Sequence, residues 1–322
     1  MRNSGMIDQI LTIVLPLFVL IGLGYAAART GVLDAGIGDA LGRFVYVIAI
    51  PVLIFRTLAT SSLDGVSPWG FWFAYFTGVA VVWTLGTLVV RKVFRRDARA
   101  GVIAGINAGF ANTVLVGVPL ITAVHGEAGL VPLFVLISIH LPVLTVVCAL
   151  LMERAAVLDG TQQPKPLPQL MAGVAMNLAT SPIIIGIVCG GLWRLTGWPV
   201  TGIFADVLGR IASATIPVAL FSLGMSMVAY GIRGNLAPGL VLSVLKIGAM
   251  PAIVWAMATY VVHLPPLWIS VATLTAACPT GINAFLFANR FGTGHAMSAN
   301  SITLTTALAV VTTGLWLVFL GS

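Results

Sequence analysis

The sequence predicts an all-α membrane protein with ten transmembrane helices, arranged as two inverted five-helix repeats. Three observations predict it. Only 8% of the 322 residues are charged and 59% are hydrophobic, and the mean hydropathy is +1.08, whereas soluble domains carry roughly 25% charged residues. Ten apolar stretches each reach the ~20 residues that a bilayer crossing needs. Short matches recur between the two halves of the chain at one offset, near 166 residues.

The first span is expected at 7–28. Its apolar run is too long for the core of a cleavable signal, and no small-residue cleavage site follows. Spans at 40–60, 69–93, 99–124 and 128–152 complete the first repeat, residues 1–152. The longest polar gap, 153–169, holds Pro164, Pro166 and Pro168; such a composition makes a linker rather than a domain. Spans at 170–194, 203–229, 237–263, 266–290 and 295–320 form the second repeat, residues 170–322.

Orientation follows from Lys and Arg, which stay on the cytoplasmic side. The loop after the third span holds Arg91, Lys92, Arg95, Arg96 and Arg99. With that loop inside, eleven basic residues face the cytoplasm and four (Arg2, Arg56, Arg194, Arg210) face out. Both termini are then expected outside an inner or plasma membrane, and the linker inside. The net charge of +7 therefore reads as topology control, with no nucleic-acid partner. Cys148, Cys189 and Cys278 all lie in apolar stretches. They form no metal spacing and no disulfide framework, and are expected as buried free thiols.

The duplication rests on three matches. Ile50-Pro51-Val52 with Phe55 recurs as Ile216-Pro217-Val218 with Phe221, and Thr30-Gly31 recurs as Thr196-Gly197, both 166 residues on. Leu41-Gly42-Arg43 recurs as Leu208-Gly209-Arg210, 167 residues on. Five spans per repeat, an odd number, makes the repeats inverted. At the same offset Pro279 falls on Thr113. Both lie in stretches a plain lipid-facing helix avoids: Asn107 to Pro119, with two Asn, a Thr, two Gly and a Pro, and Ala277 to Phe285, with Pro279, Thr280, Gly281 and Asn283. Non-helical backbone at membrane depth is tolerated only when buried in protein or lining a cavity. Two interrupted spans at matching places are the best sequence pointer to a transporter's binding site.

These stretches carry a family resemblance. Phe110-Ala111-Asn112-Thr113 with Gly117-Val118-Pro119-Leu120 resembles the fourth-span pattern of the auxin efflux carrier family. Pro279-Thr280-Gly281-Ile282-Asn283-Ala284-Phe285, with Ala288 and Phe291-Gly292, resembles its ninth, and Pro217 through Gly224 to Ser226 its seventh. The likeness covers nearly the whole chain, and the short central linker resembles the bacterial members. Ser181-Pro182 departs from the Asn-Pro of many members. The resemblance implies a fold similar to bile acid transporters, with broken spans four and nine crossed. It further implies a scaffold from spans 1, 2, 6 and 7, a moving domain from spans 3–5 and 8–10, and a homodimer.

A helix broken in mid-membrane presents unpaired N–H groups at the start of its second half, and these favour an anion. The second halves are expected to begin near Thr113 and near Thr280, with Pro279 in a first turn. Asn112 and Asn283 are placed to donate to a substrate carboxylate; the plainer alternative is that they cap the broken helices. Asn107, Gly117, Pro119 and Gly281 are expected to shape the crossover, and Pro51 and Pro217 to kink their helices. Lys246 lies about nine residues into the eighth span, near mid-membrane at ~1.5 Å per residue, where ionisable residues are functional by default. His140 is read as a buried neutral imidazole bonded to backbone, with substrate contact or proton coupling as the alternative.

All nine acids lie in predicted loops or near span ends, which disfavours cation exchange through a central carboxylate pair. The chain carries no metal cluster, nucleophile triad or phosphate loop motif, so no enzyme and no cofactor are predicted. The expected function is a carrier for a small organic anion, moving by elevator-like alternation in the bilayer; the resemblance implies a mono- or dicarboxylate of malate, malonate or auxin type. The rival is a membrane sensor of the same fold that binds the acid without moving it.

Overall fold

The computed structural model describes residues 12, 14–61, 67–232 and 234–321. Among these the chain is helical, with one isolated two-residue bridge, Ala111 to Thr280, in place of any strand. The first residues of the expected first span, and Arg233, lie outside the described residues. A helix satisfies every backbone group within its own segment, which is what an apolar chain in lipid requires.

The helices in chain order are α1 (Leu15–Arg29), α2 (Gly36–Thr60), α3 (Pro68–Val93), α4 (Ala98–Gly109), α5 (Thr113–Leu158), α6 (Leu167–Ala179), α7 (Pro182–Thr196), α8 (Gly202–Tyr230), α9 (Leu236–Val261), α10 (Pro266–Ala277), α11 (Asn283–Phe291) and α12 (His295–Leu320). Six of them (α2, α3, α5, α8, α9, α12) are long and apolar enough to cross a membrane alone, and α6 with α7 passes as a bent pair. Helix α5 has two arms, because Gly126 takes φ 61°, ψ −150° between them, a conformation open to glycine. The stretch expected as a continuous span at 170–194 is instead bent by 66° between α6 and α7. Pro182 begins α7 behind an extended Ser181. Proline removes an N–H and clashes with the preceding turn, so the helix before it stops.

The chain separates into two compact units. The first comprises residues 1–67, 114–138 and 176–229, and so contains α1, α2, α7, α8 and much of α5. Its packing depends on glycine. A Cβ at Gly24 would overlap the Phe221 carbonyl, and one at Gly224 would overlap the Ile21 carbonyl, so α1 and α8 touch backbone to backbone. Likewise Gly186 and Gly190 of α7 lie against the backbone of Pro51 and Phe55 in α2. Without a hydrophobic drive between helices in lipid, such close approach is how they associate. Pro217 sits inside α8, and Arg56 pairs with Glu127 at 3.2 Å on the surface.

The second unit comprises residues 68–113, 139–175 and 230–322, with α3, α4, the end of α5 and α9 to α12. Helix α3 packs on α4 where Gly105 leaves room for the Trp83 indole, and on α9 where Gly78 meets Val254. Two carboxylates hold the start of α4. Asp97 accepts from the Ala100 N–H at 2.8 Å. Asp159, from beyond the end of α5, accepts from the N–H groups of Ala98 and Arg99, each at 2.9 Å. Burial alone would raise the Asp159 pKa. The two N–H bonds and the Arg99 guanidinium outweigh it and hold the carboxyl below its ordinary value. Of the cysteines, Cys148 and Cys278 are buried as expected, but Cys189 is exposed.

Candidate functional site

The predicted site residues of the second unit converge on two breaks. Helix α4 stops at Gly109, and Phe110 is extended (φ −90°, ψ 100°). Helix α10 stops at Ala277, and Cys278 is extended (φ −55°, ψ 148°). The two freed stretches then bond each other. The Asn112 N–H donates to the Pro279 carbonyl at 2.9 Å, and the Gly281 N–H donates to the Phe110 carbonyl at 2.8 Å. Buried backbone groups have to find partners somewhere, and each break supplies the other's. Gly281 suits this close approach, since a Cβ would come within 3.1 to 3.4 Å of Phe110 and Ala111, and the neighbours would have to give way slightly. Pro279 has no N–H to leave unpaired, and its carbonyl is the acceptor.

Side chains bind the breaks to the helices around them. The Thr280 hydroxyl donates to the Asn107 carbonyl at 2.9 Å, and the Thr280 N–H donates to the Thr305 hydroxyl at 3.0 Å. The Asn107 amide donates to the Ile103 carbonyl at 2.8 Å and to the Ser298 hydroxyl at 2.9 Å. Asn107 is thus a joint between α4, α12 and the second break. Ser298 and Thr305 were not singled out from the sequence. With Ser301 they recur at spacings of three and four, which puts them on one face of α12; that periodicity was the available signal.

The second halves begin at different places relative to their prolines. Helix α5 starts at Thr113 with a wider, π-type turn through Gly117, and Pro119 follows it. Asn112 and Thr113 are buried. The other half starts at Asn283, three residues after the expected Thr280. Pro279 therefore lies in the extended break and not in a first turn. The reason is the pairing just described: residues 279–281 are bonded to the α4 side and to α12, so the turn into α11 forms only after Gly281, where the Ala284 N–H reaches the Gly281 carbonyl at 3.0 Å. Asn283 opens the helix and is half-buried.

Lys246 lies on a π-type turn of α9, residues Leu245–Ala249. It is fully buried, and its ammonium donates to the Ala276 carbonyl at 2.6 Å, at the end of α10. Carbonyls at a helix C-terminus lack intrahelical donors and carry the negative end of the dipole, so a cation is favoured there. His140 is buried between aromatic rings, with centroids 4.9 Å from Phe110 and 5.6 Å from Tyr75. Its Nε2 has no hydrogen-bond partner. Among the described residues no cluster of three metal-ligating side chains occurs.

The chain has relatives. A family model described as "Membrane transport protein" matches residues 9–317. The chain belongs to this family, that of the auxin efflux carriers. Over 95% of both chains it is 24% identical to a protein of Rhizobium meliloti (strain 1021) named "Putative malonate transporter". It is 22% identical to auxin efflux carrier component 8 of Arabidopsis thaliana, over 95% of this chain and 96% of that one. An uncharacterized transporter of Methanothermobacter thermautotrophicus is 26% identical over 95% of this chain and 97% of its own length. The protein is a multi-pass membrane transporter and not an enzyme.

Proposed function

We propose that this family member carries a small organic anion across the inner or plasma membrane, binding its carboxylate at the paired breaks. The observation that carries this reading is the bonding of one break to the other within a single compact unit. It sets Asn112 and Thr113, at the start of α5, beside residues 279–281, which lead into α11 at Asn283, and a buried cation, Lys246, bonds the end of α10. Helix N-termini favour anions, and a buried ammonium without a carboxylate favours them further. A malonate-like acid fits the Rhizobium relative's name, and an auxin-like acid the Arabidopsis one.

The architecture proposed with it has ten spans. Each bent or broken pair, α4 with the first arm of α5, α6 with α7, and α10 with α11, is counted as one span. The spans form two inverted five-span repeats, residues 1–152 and 170–322. Spans 1, 2, 6 and 7 act as scaffold and the others as the moving, elevator-like domain, in a homodimer with both termini outside. The division into compact units supports this for α1, α2, α7 and α8 in one unit and α3, α4 and α9 to α12 in the other, while residues 114–138 of α5 group with the former. Uptake of labelled malonate into proteoliposomes, lost with Asn112→Ala and Asn283→Ala, is the test. Binding without uptake would favour a sensor instead.

A further inference from the structure

Three buried polar groups of the second unit lack part of what they need. They come from different helices: Tyr75 from α3, His140 from the second arm of α5 and Lys246 from α9. Tyr75 and Lys246 are 0% exposed and His140 1%. The Tyr75 hydroxyl and His140 Nε2 have no hydrogen-bond partner. An ammonium carries three N–H donors, and the Ala276 carbonyl takes one from Lys246. No carboxylate of the described residues lies within 4.0 Å of the Lys246 ammonium.

The three groups are gathered beside both breaks. His140 stacks edge-on against Tyr75 and against Phe110, the residue that ends α4. Lys246 holds the carbonyl two residues before Cys278, where the second break opens. The turn of α9 that carries Lys246 packs against α3, the helix of Tyr75, and against α10. The other acids of this unit sit away at helix ends: Asp97 and Asp159 bond the start of α4, and Glu153 accepts from the Lys165 N–H.

Buried donors without acceptors are costly, and a buried charge without a counter-charge more so. Water would satisfy the hydroxyl and the imidazole but would leave the ammonium unbalanced. A carboxylate meets all three needs at once: two oxygens, about four acceptor sites and one negative charge. We propose that Tyr75, His140 and Lys246 form a second anion subsite. It receives the distal carboxylate of a short dicarboxylate whose first carboxylate lies at the helix starts near Thr113 and Asn283. The inference rests on the anion-carrier reading above and narrows it. An acid with an apolar body, such as an indole acid, would set that body against the Lys246 ammonium.

The experiment is equilibrium binding of malonate, monomethyl malonate and acetate to the purified full chain in nanodiscs, with Tyr75→Phe, Lys246→Gln and Asn112→Ala beside the wild type. Malonate is expected to bind at least tenfold more tightly than either monoacid, and Tyr75→Phe and Lys246→Gln to reduce that preference by about tenfold each. Tyr75→Phe removes one hydroxyl and keeps the ring. Without ligand it is expected to unfold at or above the wild-type temperature, since it deletes an unpartnered buried group; a merely structural hydroxyl would give a loss. Equal affinity for malonate and monomethyl malonate, with Asn112→Ala still weakening both, would overturn the second subsite and leave the first standing. Absence of binding by all three acids to folded protein would overturn the anion-site reading and this inference with it.

Discussion

The chemistry at residue scale turns on a few amides and hydroxyls. Asn112 and Asn283 are each expected to contribute a charge-assisted hydrogen bond to substrate, ~1.5–3 kcal/mol. Replacement of either by Ala should weaken malonate binding roughly tenfold or more with the thermal unfolding midpoint held. Asn107 is a different case. It bonds Ile103, Ser298 and Thr280 together and is wholly buried. Asn107→Ala removes two donors and leaves the Ser298 hydroxyl without its donor. It should cost about 1–3 kcal/mol of stability, measured as a lowered unfolding midpoint in detergent.

Elements are held by their ends and by their glycines. The start of α4 is capped from within by Asp97 and from α5 by Asp159, whose side chain is 13% exposed. Asp159→Asn keeps the shape and removes the charge at a helix N-terminus, a loss of about 0.5–2 kcal/mol. Its pH dependence has a definite sign. The carboxyl is depressed in the folded chain, so its stabilisation is fully present above the ordinary carboxylate range, near ~4. It is lost as the pH falls through the lower, folded value. The difference in unfolding midpoint between wild type and Asp159→Asn should therefore be constant at neutral pH and shrink in acid. A midpoint gap that widened in acid would contradict the assignment. In the other unit, Gly224→Val sets side-chain atoms into the Ile21 backbone. It should separate α1 from α8 and lower the yield of folded protein, whereas Gly22→Val, with nothing within 4 Å, should be tolerated.

For the whole molecule the sharpest test is topological. The basic residues divide eleven to four between the two sets of loops, and the positive-inside tendency predicts the α3–α4 loop in the cytoplasm. Cysteines at Ser61 and Ser322 should react with an impermeant thiol reagent in intact cells, in a background with Cys189 replaced. A cysteine at Arg95 should react only after the membrane is opened. Labelling of Arg95→Cys in intact cells would reverse the orientation. It would leave the paired breaks unaltered, since their geometry does not depend on which side is inside.

The sequence by itself determined the class, the apolar stretches and the places where two helices break. Those properties are local: composition, length, and Asn, Gly and Pro set where lipid-facing helix would exclude them. It also singled out Lys246 and His140, because a charged or titratable residue in an apolar run is visible without a fold. Tertiary structure decided what each break bonds to. The start of α11 shifted to Asn283 because residues 279–281 found partners across the unit, on α12 and beside Phe110. The exposure of Cys189 likewise shows only in the folded chain, whereas the bend before Pro182 is a local effect of the proline. Tyr75 was illegible for a further reason. Helix α3 is apolar on all sides, so periodicity does not reveal a facing direction, and only the neighbours, His140 and the breaks, show that its hydroxyl is buried without a partner.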